Sequence, residues 1–398
     1  MRTLFSIIYF FILTALVSAQ SNWNLLPSLS GTLNDIHFYN NQTGWAGGTN
    51  IYKTTNGGAN WTLQLAEFAS TIYFIDENTG FFAGNSGKKT TNGGANWFSI
   101  PVIVNVSDIT FTDTLTGFAV GVLSPNGIIW KTTDAGLNWT QVFSQSTGGY
   151  RKVHFINPYT GWACGTGGVI SKTTNAGTNW TGMNNNTYPY YDIWFVNENT
   201  GWTTFYSNSI RKSVNGGSSW QNQTLPNFGG YALHFLNELD GRVVGPGGYI
   251  MRTVNSGSNW FLETSPTTAQ LNAIFFTGND TGYICGNNGT ILKTVNGGSI
   301  TNIQNVSSEI PGDYSLSQNY PNPFNPVTKI KFDIPAQAFV KLIVYDVQGQ
   351  EISTILSKEL NAGTYSIDFD GSSLSSGVYF YKITSENYSV IKKMVLIK

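Results

Sequence analysis

The first three quarters of the chain carry short stretches in which apolar and polar residues alternate, separated by glycine, asparagine and aspartate. Alternation with a period of two residues predicts half-buried β-strands, and the separating residues predict tight turns between them. One such strand ends in a phenylalanine that recurs at intervals of 36 to 44 residues, at Phe38, Phe74, Phe111, Phe155, Phe195, Phe235 and Phe276.

Each of these strands opens a longer repeat unit. A turn ending in Thr-Gly or Asp-Gly, as at Gly80 and Gly241, leads to a second strand, and we expect this glycine to adopt a positive φ. A third strand follows, and the unit closes with the motif Thr-x-Asn-x-Gly-x-x-Trp, in which Asn56 or Asp134 is expected to bond N–H groups of its own turn. We assign the closing tryptophans to packing between units: Trp61, Trp97, Trp139, Trp180, Trp220 and Trp260. Four strands in each of seven units predict a seven-bladed β-propeller.

The seventh unit lacks its closing tryptophan, because residues 294–300 run into a different sequence. An Asn-Trp pair at the other end of the chain, Asn22 and Trp23, resembles the missing segment and precedes the first unit. We therefore predict that Trp23 and its neighbours form the outer strand of the last blade. This pairing closes the ring and leaves no large unpaired edge.

The two ends of the chain differ from the repeats. Residues 1–19 contain one arginine, an apolar run too short to span a bilayer and small residues before position 20, which predicts a secretory signal peptide that is removed. Residues 20–300 form the predicted propeller, and residues 301–312 a linker. Alternating strands at 329–332, 340–345, 365–369, 378–383 and 390–397 predict a small β-sandwich over residues 313–398. The predicted fold is thus all-β throughout.

Composition narrows the classes of partner. Charged residues make up 11% of the chain, with 21 basic and 22 acidic side chains, so we expect no nucleic-acid partner and no membrane-surface patch. No second segment is long and apolar enough to span a membrane, and we expect a monomer. Cys164 and Cys285 occupy the same slot in units three repeats apart, which favours buried free thiols over a disulfide.

The repeat resembles two known kinds of propeller unit. Its closing motif resembles the Asp-box of bacterial neuraminidase-type repeats, and the whole unit resembles that of the photosystem II assembly-factor propellers. Both resemblances imply the fold over about residues 22–300, and neither implies one activity, because Asp-boxes occur in enzymes and in scaffolds.

The C-terminal region is similar to the type A sorting domain of the bacterial type IX secretion system. The resemblance rests on the run from Tyr314 to Pro326 and on the terminal Lys392-Lys-Met-Val-Leu-Ile-Lys398. It implies that residues 313–398 are recognised by the type IX machinery, and that the protein passes through the periplasm of a Bacteroidota-like bacterium to the cell surface or the medium.

One group of charged residues is a candidate for a binding or catalytic site. Asp35, Asp108 and Asp192 precede the innermost strands of blades one, three and five, and Lys152 takes that slot in blade four. These residues could form a channel rim that binds a cation or polar ligand. The alternative is that they form hydrogen bonds at the start of each strand, and this alternative is favoured.

No catalytic, cofactor or metal site is predicted. The arginines do not form the cluster that a sialidase requires, most acidic residues lie in turns, and His37, His154 and His234 share one position around the ring, too far apart to ligate one zinc ion. The favoured hypothesis is an exported, non-catalytic propeller that binds an unknown protein or polysaccharide. The alternative is a secreted carbohydrate-active enzyme of the xyloglucanase or sialidase kind. For either function, the residues that contact the ligand or substrate are expected in the segments that depart from the repeat. These segments are residues 122–126, 144–150, 188–191 and 203–207.

Overall fold

The computed structural model describes residues 23–183, 188–205, 207–227, 229–295, 297, 304–307, 309–371, 374–386 and 388–398. The predicted signal peptide, residues 1–19, lies outside the described residues. The described chain forms nine four-stranded antiparallel sheets, of which seven are propeller blades and two form the C-terminal sandwich. The predicted all-β class, a seven-bladed propeller followed by a small sandwich, is confirmed.

The blades follow the chain in order. Their strands are β2 (Leu33–Phe38), β3 (Gly44–Gly48), β4 (Ile51–Thr54) and β5 (Thr62–Leu65) in blade 1; β6 (Thr71–Phe74), β7 (Gly80–Ala83), β8 (Ser86–Thr90) and β9 (Phe98–Val104) in blade 2; β10 (Val106–Phe111), β11 (Gly117–Leu123), β12 (Asn126–Thr132) and β13 (Thr140–Gln145) in blade 3; β14 (Tyr150–Phe155), β15 (Gly161–Gly165), β16 (Ile170–Thr173) and β17 (Thr181–Gly182) in blade 4. The others are β18 (Tyr190–Phe195), β19 (Gly201–Phe205), β20 (Ser209–Ser213) and β21 (Gln221–Thr224) in blade 5; β22 (Ala232–Phe235), β23 (Gly241–Val244), β24 (Ile250–Thr253) and β25 (Phe261–Glu263) in blade 6; β26 (Leu271–Phe276), β27 (Gly282–Gly286), β28 (Ile291–Thr294) and the N-terminal β1 (Asn24–Leu25) in blade 7. Three short 3₁₀ turns join second and third strands, at Thr166–Gly168, Pro246–Gly248 and Asn287–Gly289.

The first strands of the seven blades contact one another in a closed ring, from β2 through β26 and back to β2, so they line the centre of the propeller. Each first strand starts at one face of the ring and ends at the other. The face at which the first strands start is called the mouth face below. The turns between third and fourth strands, which carry the Asn-Gly motifs, lie on the opposite face.

The N-terminal strand closes the ring, as predicted. Asn24 pairs with Lys293 and Leu25 with Leu292 at the outer edge of blade 7. Trp23, which is 1% exposed, lies edge-on to Phe276 with ring centroids 5.9 Å apart. The six closing tryptophans make the same edge-on contact with the first-strand phenylalanine of their own blade, at 5.8 to 6.1 Å: Trp61, Trp97, Trp139, Trp180, Trp220 and Trp260.

Aromatic stacking joins neighbouring blades. Trp45 of blade 1 stacks on Phe74 of blade 2 with centroids 3.4 Å apart, and Tyr283 of blade 7 stacks on Phe38 at 3.6 Å. A lysine on the third strand covers the outer side of each stack, and Lys293 also donates to the Gly57 carbonyl oxygen of the next blade at 2.8 Å. Such stacks bury large apolar area and favour a fixed blade spacing.

The glycine that opens each second strand has a different role from the one predicted. Gly80 and Gly241 are not among the positive-φ residues of the described chain, so the expectation of a left-handed conformation is wrong. A Cβ atom on Gly80 would lie 2.4 Å from the Phe74 ring. The position needs glycine because the phenylalanine ring packs directly over its backbone. The closing motif does bond as expected, since the Asn60 N–H donates to Asn56 Oδ1 and the Asn138 N–H to Asp134 Oδ1, both at 2.9 Å.

The C-terminal sandwich consists of two sheets around one core. The first sheet has the order β29 (Gln304–Ser307), β34 (Gly363–Asp370), β31 (Val327–Ile334), β30 (Ser315–Leu316), and the second the order β33 (Glu351–Leu360), β32 (Ala338–Tyr345), β35 (Gly377–Ser385), β36 (Tyr388–Leu396). Alternate residues such as Phe332, Leu342 and Tyr381 point into a continuous buried cluster between the sheets.

Three strands of the sandwich were not predicted from the sequence: Gln304–Ser307, Ser315–Leu316 and Glu351–Leu360. The edge strand Gln304–Ser307 pairs with β34 and lies inside the segment that we assigned to the linker, so the sandwich begins before residue 313. Its single apolar residue, Val306, gives no alternation to recognise. The strand Glu351–Leu360 was not predicted either, because polar residues interrupt its apolar positions.

Cys164 and Cys285 are buried free cysteines, as predicted. Cys164 pairs with Lys152 on the first strand of blade 4. Cys285 pairs with Ala273, at the corresponding position of blade 7. Burial raises the pKa of both thiols well above its usual value, so they remain protonated and inert at neutral pH.

Candidate binding site at the mouth of the central channel

The first strands place three successive rings of side chains along the central channel. The mouth ring consists of Asn34, Ser70, Ser107, Arg151, Tyr191, Tyr231 and Asn272. The charged ring, one residue further along each strand, consists of Asp35, Thr71, Asp108, Lys152, Asp192, Ala232 and Ala273. The aromatic ring, two residues beyond, consists of His37, Tyr73, Thr110, His154, Trp194, His234 and Phe275. A register shift at the start of five of the seven first strands accompanies the change from the mouth ring to the charged ring.

The three aspartates predicted at a channel rim connect neighbouring blades. Asp35 Oδ2 accepts the Ile72 N–H of blade 2 at 3.0 Å, and Asp192 Oδ2 accepts the Leu233 N–H of blade 6 at 2.9 Å. Asp108 Oδ2 likewise accepts the Val153 N–H of blade 4 at 3.0 Å. Each carboxylate therefore satisfies a backbone donor of the following blade. Hydrogen bonding accounts for their position, and it reaches across a blade interface as well as along the strand.

Lys152 lies among these aspartates. Its Nζ atom is 3.1 Å from Asp108 Oδ1, and Thr71 Oγ1 donates to the same Asp108 oxygen at 3.1 Å. Burial acts to lower the pKa of Lys152, but Asp108, Asp35 and Asp192 together hold that pKa above its usual value. Burial raises the pKa of Asp192 to about 7. The predicted rim is thus a hydrogen-bonded belt below the mouth, in which each aspartate bonds a backbone N–H group of the next blade and Lys152 pairs with Asp108.

The aromatic ring packs side chain against side chain. Trp194 lies between two histidines, with ring centroids 4.3 Å from His154 and 4.2 Å from His234. His37 lies 4.7 Å from Tyr73 and 4.9 Å from Phe275. Burial lowers the pKa of His37 and His154 to about 4 and that of His234 to about 3, so all three are neutral and serve as packing residues.

Replacing His234 by phenylalanine should flatten the acid side of the stability profile. The unfolded chain protonates this histidine below pH 6.5, whereas the folded chain does so only near pH 3, so stability falls as the pH falls between these values. The histidine should account for roughly 3 kcal/mol of lost unfolding free energy between pH 6.5 and 4. Chemical denaturation of the wild type and His234→Phe at several pH values measures the difference.

Asp192, whose pKa is raised, changes the stability with pH in the opposite direction. It does so equally in both proteins, so the difference between the wild type and His234→Phe excludes its contribution. Equal slopes of unfolding free energy against pH in the wild type and the variant would show that His234 is protonated in the folded state.

A cavity of about 520 Å³ opens at the mouth ring. Its lining residues are Asn34, Ser70, Arg151, Tyr191, Tyr231, Gln270 and Asn272. The volume lies within the range of small-ligand sites, and every lining residue carries a polar group. No carboxylate lines this cavity. The predicted Asp35, Asp108, Lys152 and Asp192 lie one level below it.

Hydrogen bonds fix the amide side chains of the cavity. Asn34 Nδ2 donates to the Ala69 carbonyl oxygen and Asn272 Nδ2 to the Leu33 carbonyl oxygen, both at 2.8 Å. Gln270 Nε2 donates to Asn272 Oδ1 at 2.8 Å. With their N–H groups engaged, Asn34 and Gln270 direct amide oxygens toward other donors. The cavity wall is therefore preorganised.

Arg151 provides the cation of the cavity. Its guanidinium carbon lies 4.5 Å from the centroid of the Tyr191 ring, and Tyr191 meets Tyr231 edge-on at 5.3 Å. The Arg151 Nη1 atom is buried and has no hydrogen-bond partner, and no ion pair joins Arg151 to a carboxylate of the described chain. Arg151 is therefore a cation at the cavity that no carboxylate of the described chain neutralises by direct contact, and such a group favours an anionic ligand.

The departures from the repeat surround this cavity on one side. Residues 122–126 and the described residues of 203–207, which are 203–205 and 207, lie where second strands end and third strands follow. Residues 144–150 and 188–191 lead into or begin first strands, so the four segments lie on the mouth face, in or between blades 3 to 5. The cavity residues Arg151 and Tyr191 belong to the same side. The mouth face therefore carries the variation that a binding surface requires, while the opposite face repeats regularly.

The mouth ring was harder to predict from the sequence than the charged ring. The residues of the mouth ring differ from blade to blade. The one sequence feature that could have identified them is that each directly precedes the position at which Asp35, Asp108 and Asp192 stand in their blades. Among the described residues no cluster of three or more metal-ligating side chains occurs, and no helix in that part of the chain is long and apolar enough to cross a bilayer.

Both the C-terminal sandwich and the propeller are similar to known proteins. Residues 318–398 match the family model described as a secretion system C-terminal sorting domain. The C-terminal sandwich is a type IX sorting domain. The resemblance stated from its sequence is confirmed, and the sorting domain indicates that the protein is exported. A search of curated protein sequences finds no match.

The propeller resembles several solved structures. YCF48 bound to a D1 peptide has a TM-score of 0.59 at 21% identity, covering 69% of this chain and 97% of that chain. YCF48 from Cyanidioschyzon merolae has a TM-score of 0.57 at 19% identity, with 68% and 98% covered. The WD40 propeller domain of Doa1 has a TM-score of 0.56 at 9% identity, with 69% and 97% covered. At these identities the likeness establishes the propeller fold alone.

Proposed function

We propose that the protein is an exported, non-catalytic binding or scaffold protein of the cell surface or medium, which holds its ligand at the mouth of the propeller channel. The observation that carries the proposal is the preorganised polar cavity that Arg151 lines, a cation without an ion-pair partner in the described chain. The sorting domain supports delivery to the outside of the cell. One structural relative, YCF48, has been solved with a bound peptide, which supports a binding role for propellers of this shape.

The geometry favours binding over glycoside hydrolysis. A hydrolase needs two carboxylates facing the substrate, one of them with a raised pKa. Asp192 has such a raised pKa, but its two oxygens accept the Ile193 and Leu233 N–H groups, and it lies below the cavity. Asp108 is paired with Lys152. Carboxylates held in this way are engaged in joining blades.

A bulky side chain in the cavity should abolish ligand binding without unfolding the propeller. Ser70 lines the cavity, and replacing it by tryptophan fills space that a ligand would use. We expect wild-type protein, screened against a glycan array and a peptide library, to retain a set of ligands that Ser70→Trp loses by at least tenfold in affinity, about 1.4 kcal/mol.

The matched control is Leu137→Trp, at a 70% exposed residue on the opposite face, which should bind like the wild type. Ligand binding that survives Ser70→Trp places the binding surface elsewhere and contradicts the proposal. Cleavage of a bound glycan in a hydrolysis screen would favour the enzyme instead.

A further inference from the structure

We propose that the cavity at the mouth recognises a carboxylate-bearing sugar residue, such as a uronic acid unit of an acidic polysaccharide. The inference rests on the proposed function and names the ligand class for the same site. It follows from the charge of the cavity, from the chemistry of its wall and from the position of its single cation.

The charge of the cavity calls for an anion. Arg151 is the one charged side chain among the lining residues, and its Nη1 atom is buried without an acceptor. No carboxylate of the described charged ring forms an ion pair with Arg151, because Asp108 pairs with Lys152 and accepts the Val153 N–H, while both oxygens of Asp192 accept backbone N–H groups. A planar guanidinium presents paired N–H donors that match a carboxylate.

The side chain of Arg151 is held by an aromatic contact. Its guanidinium lies against the Tyr191 ring, which itself contacts Tyr231 edge-on. The contact restricts the guanidinium before a ligand binds, which reduces the side-chain entropy lost on binding.

The wall of the cavity suits hydroxyl groups. Asn34 and Gln270 donate their N–H groups within the protein, so their amide oxygens are the atoms that can accept from a ligand. The Ser70 hydroxyl also lines the space. One cation surrounded by several acceptors matches a ligand with one carboxylate and several hydroxyl donors, as a uronic acid has.

A peptide terminus fits the same surface less well. A terminal carboxylate would satisfy Arg151, but peptide side chains are usually held in apolar pockets, and no aliphatic side chain lines this cavity. Tyrosine rings and amides are instead the groups that meet the faces and hydroxyls of a sugar. The observations therefore favour an acidic glycan over a peptide.

Calorimetric titration of the mature full-length protein with short oligomers of galacturonic, glucuronic and mannuronic acid tests the inference. Neutral oligomers of galactose, glucose and mannose serve as matched ligands. At least one acidic oligomer should bind ten times more tightly than its neutral counterpart, and its affinity should fall as NaCl is raised.

Three variants assign the effect to the cavity. Arg151→Gln should weaken binding of the acidic oligomer at least tenfold while leaving the melting temperature unchanged or higher, because it removes a buried donor that has no acceptor. Arg151→Lys should recover part of the affinity, since it restores the charge but not the planar pair of donors. Arg211→Gln removes a cation outside the cavity, one that bonds Tyr190, and should bind like the wild type.

Each contrary result has a distinct meaning. Equal binding of neutral and acidic oligomers, or unchanged binding by Arg151→Gln, overturns the role of the carboxylate. Binding of peptides with free carboxyl termini and of none of the acidic oligomers overturns the sugar class. In both cases loss of binding in Ser70→Trp leaves the proposed binding function standing, whereas ligand binding that Ser70→Trp does not affect contradicts the proposed function itself.

Discussion

Replacing Trp23 by alanine should lower the free energy of unfolding of the propeller by about 3 to 5 kcal/mol. The indole is buried, lies edge-on to Phe276 and donates from Nε1 to Glu263 Oε2 at 2.8 Å. The rest of the segment is held by two residue pairs with blade 7 and by the Leu26 and Leu29 N–H groups, which donate to the Ile291 and Gly289 carbonyl oxygens. Denaturant unfolding followed by far-ultraviolet circular dichroism measures the loss.

Leu25→Ala is the matched control, because Leu25 belongs to the same strand and is 53% exposed. It should change stability by less than about 0.5 kcal/mol. A chain that lacks residues 20–28 should lose more than Trp23→Ala, since it also leaves the outer edge of blade 7 unpaired. Unaltered unfolding of this shortened chain would refute ring closure by the N-terminal strand.

Replacing Arg242 by methionine should destabilise the propeller by about 3 to 5 kcal/mol, because it removes one of the two arginines that neutralise Glu263 and Asp240. Arg242 is fully buried between blades 6 and 7, where it lies 3.3 Å from Asp240 and 3.4 Å from Glu263 and donates to the Gly297 carbonyl oxygen. Arg252 contacts both carboxylates as well, at 2.9 Å and 3.7 Å. Unfolding by guanidinium chloride measures the effect.

The other blades provide the control for Arg242. They carry an aromatic residue at its position and a lysine at that of Arg252, as at Trp202 and Lys212 of blade 5. A fourfold variant with Asp240→Thr, Arg242→Trp, Arg252→Lys and Glu263→Gln carries the residues of blade 5 at these positions and should regain most of the stability, because it removes both carboxylates together with Arg242. If Arg242→Met is as stable as the wild type, the ion network contributes nothing to this interface.

The repeat made most of the propeller predictable, because each strand and turn was seen seven times. Trp23 could be assigned to blade 7 since six other tryptophans defined its position in the unit. Gly80 was identified but misinterpreted, because sequence does not distinguish a glycine needed for φ from one needed for a close ring contact. The strand Gln304–Ser307 was missed, because an edge strand with one apolar residue has no alternation.

The candidate site was harder to predict than the fold. The repeated Asp slot drew attention to Asp35, Asp108 and Asp192, whose carboxylates the structure shows to be bonded across blade interfaces. Arg151 does not repeat, and its significance lies in an unpaired Nη1 atom and a stacking contact that only three-dimensional packing creates. Repetition reveals architecture, and function resides in the residues that do not repeat.

The polar interface between blades 6 and 7 also determines where the N-terminal segment can insert. Six blade interfaces are alike in their aromatic stacks, so a strand suited to one would also suit the others. Only at blade 7 does the indole of Trp23 meet a buried carboxylate, that of Glu263, fixed by arginines. This contact adds specificity to the pairing of the N-terminal strand with blade 7, the blade whose own unit supplies no fourth strand among the described residues.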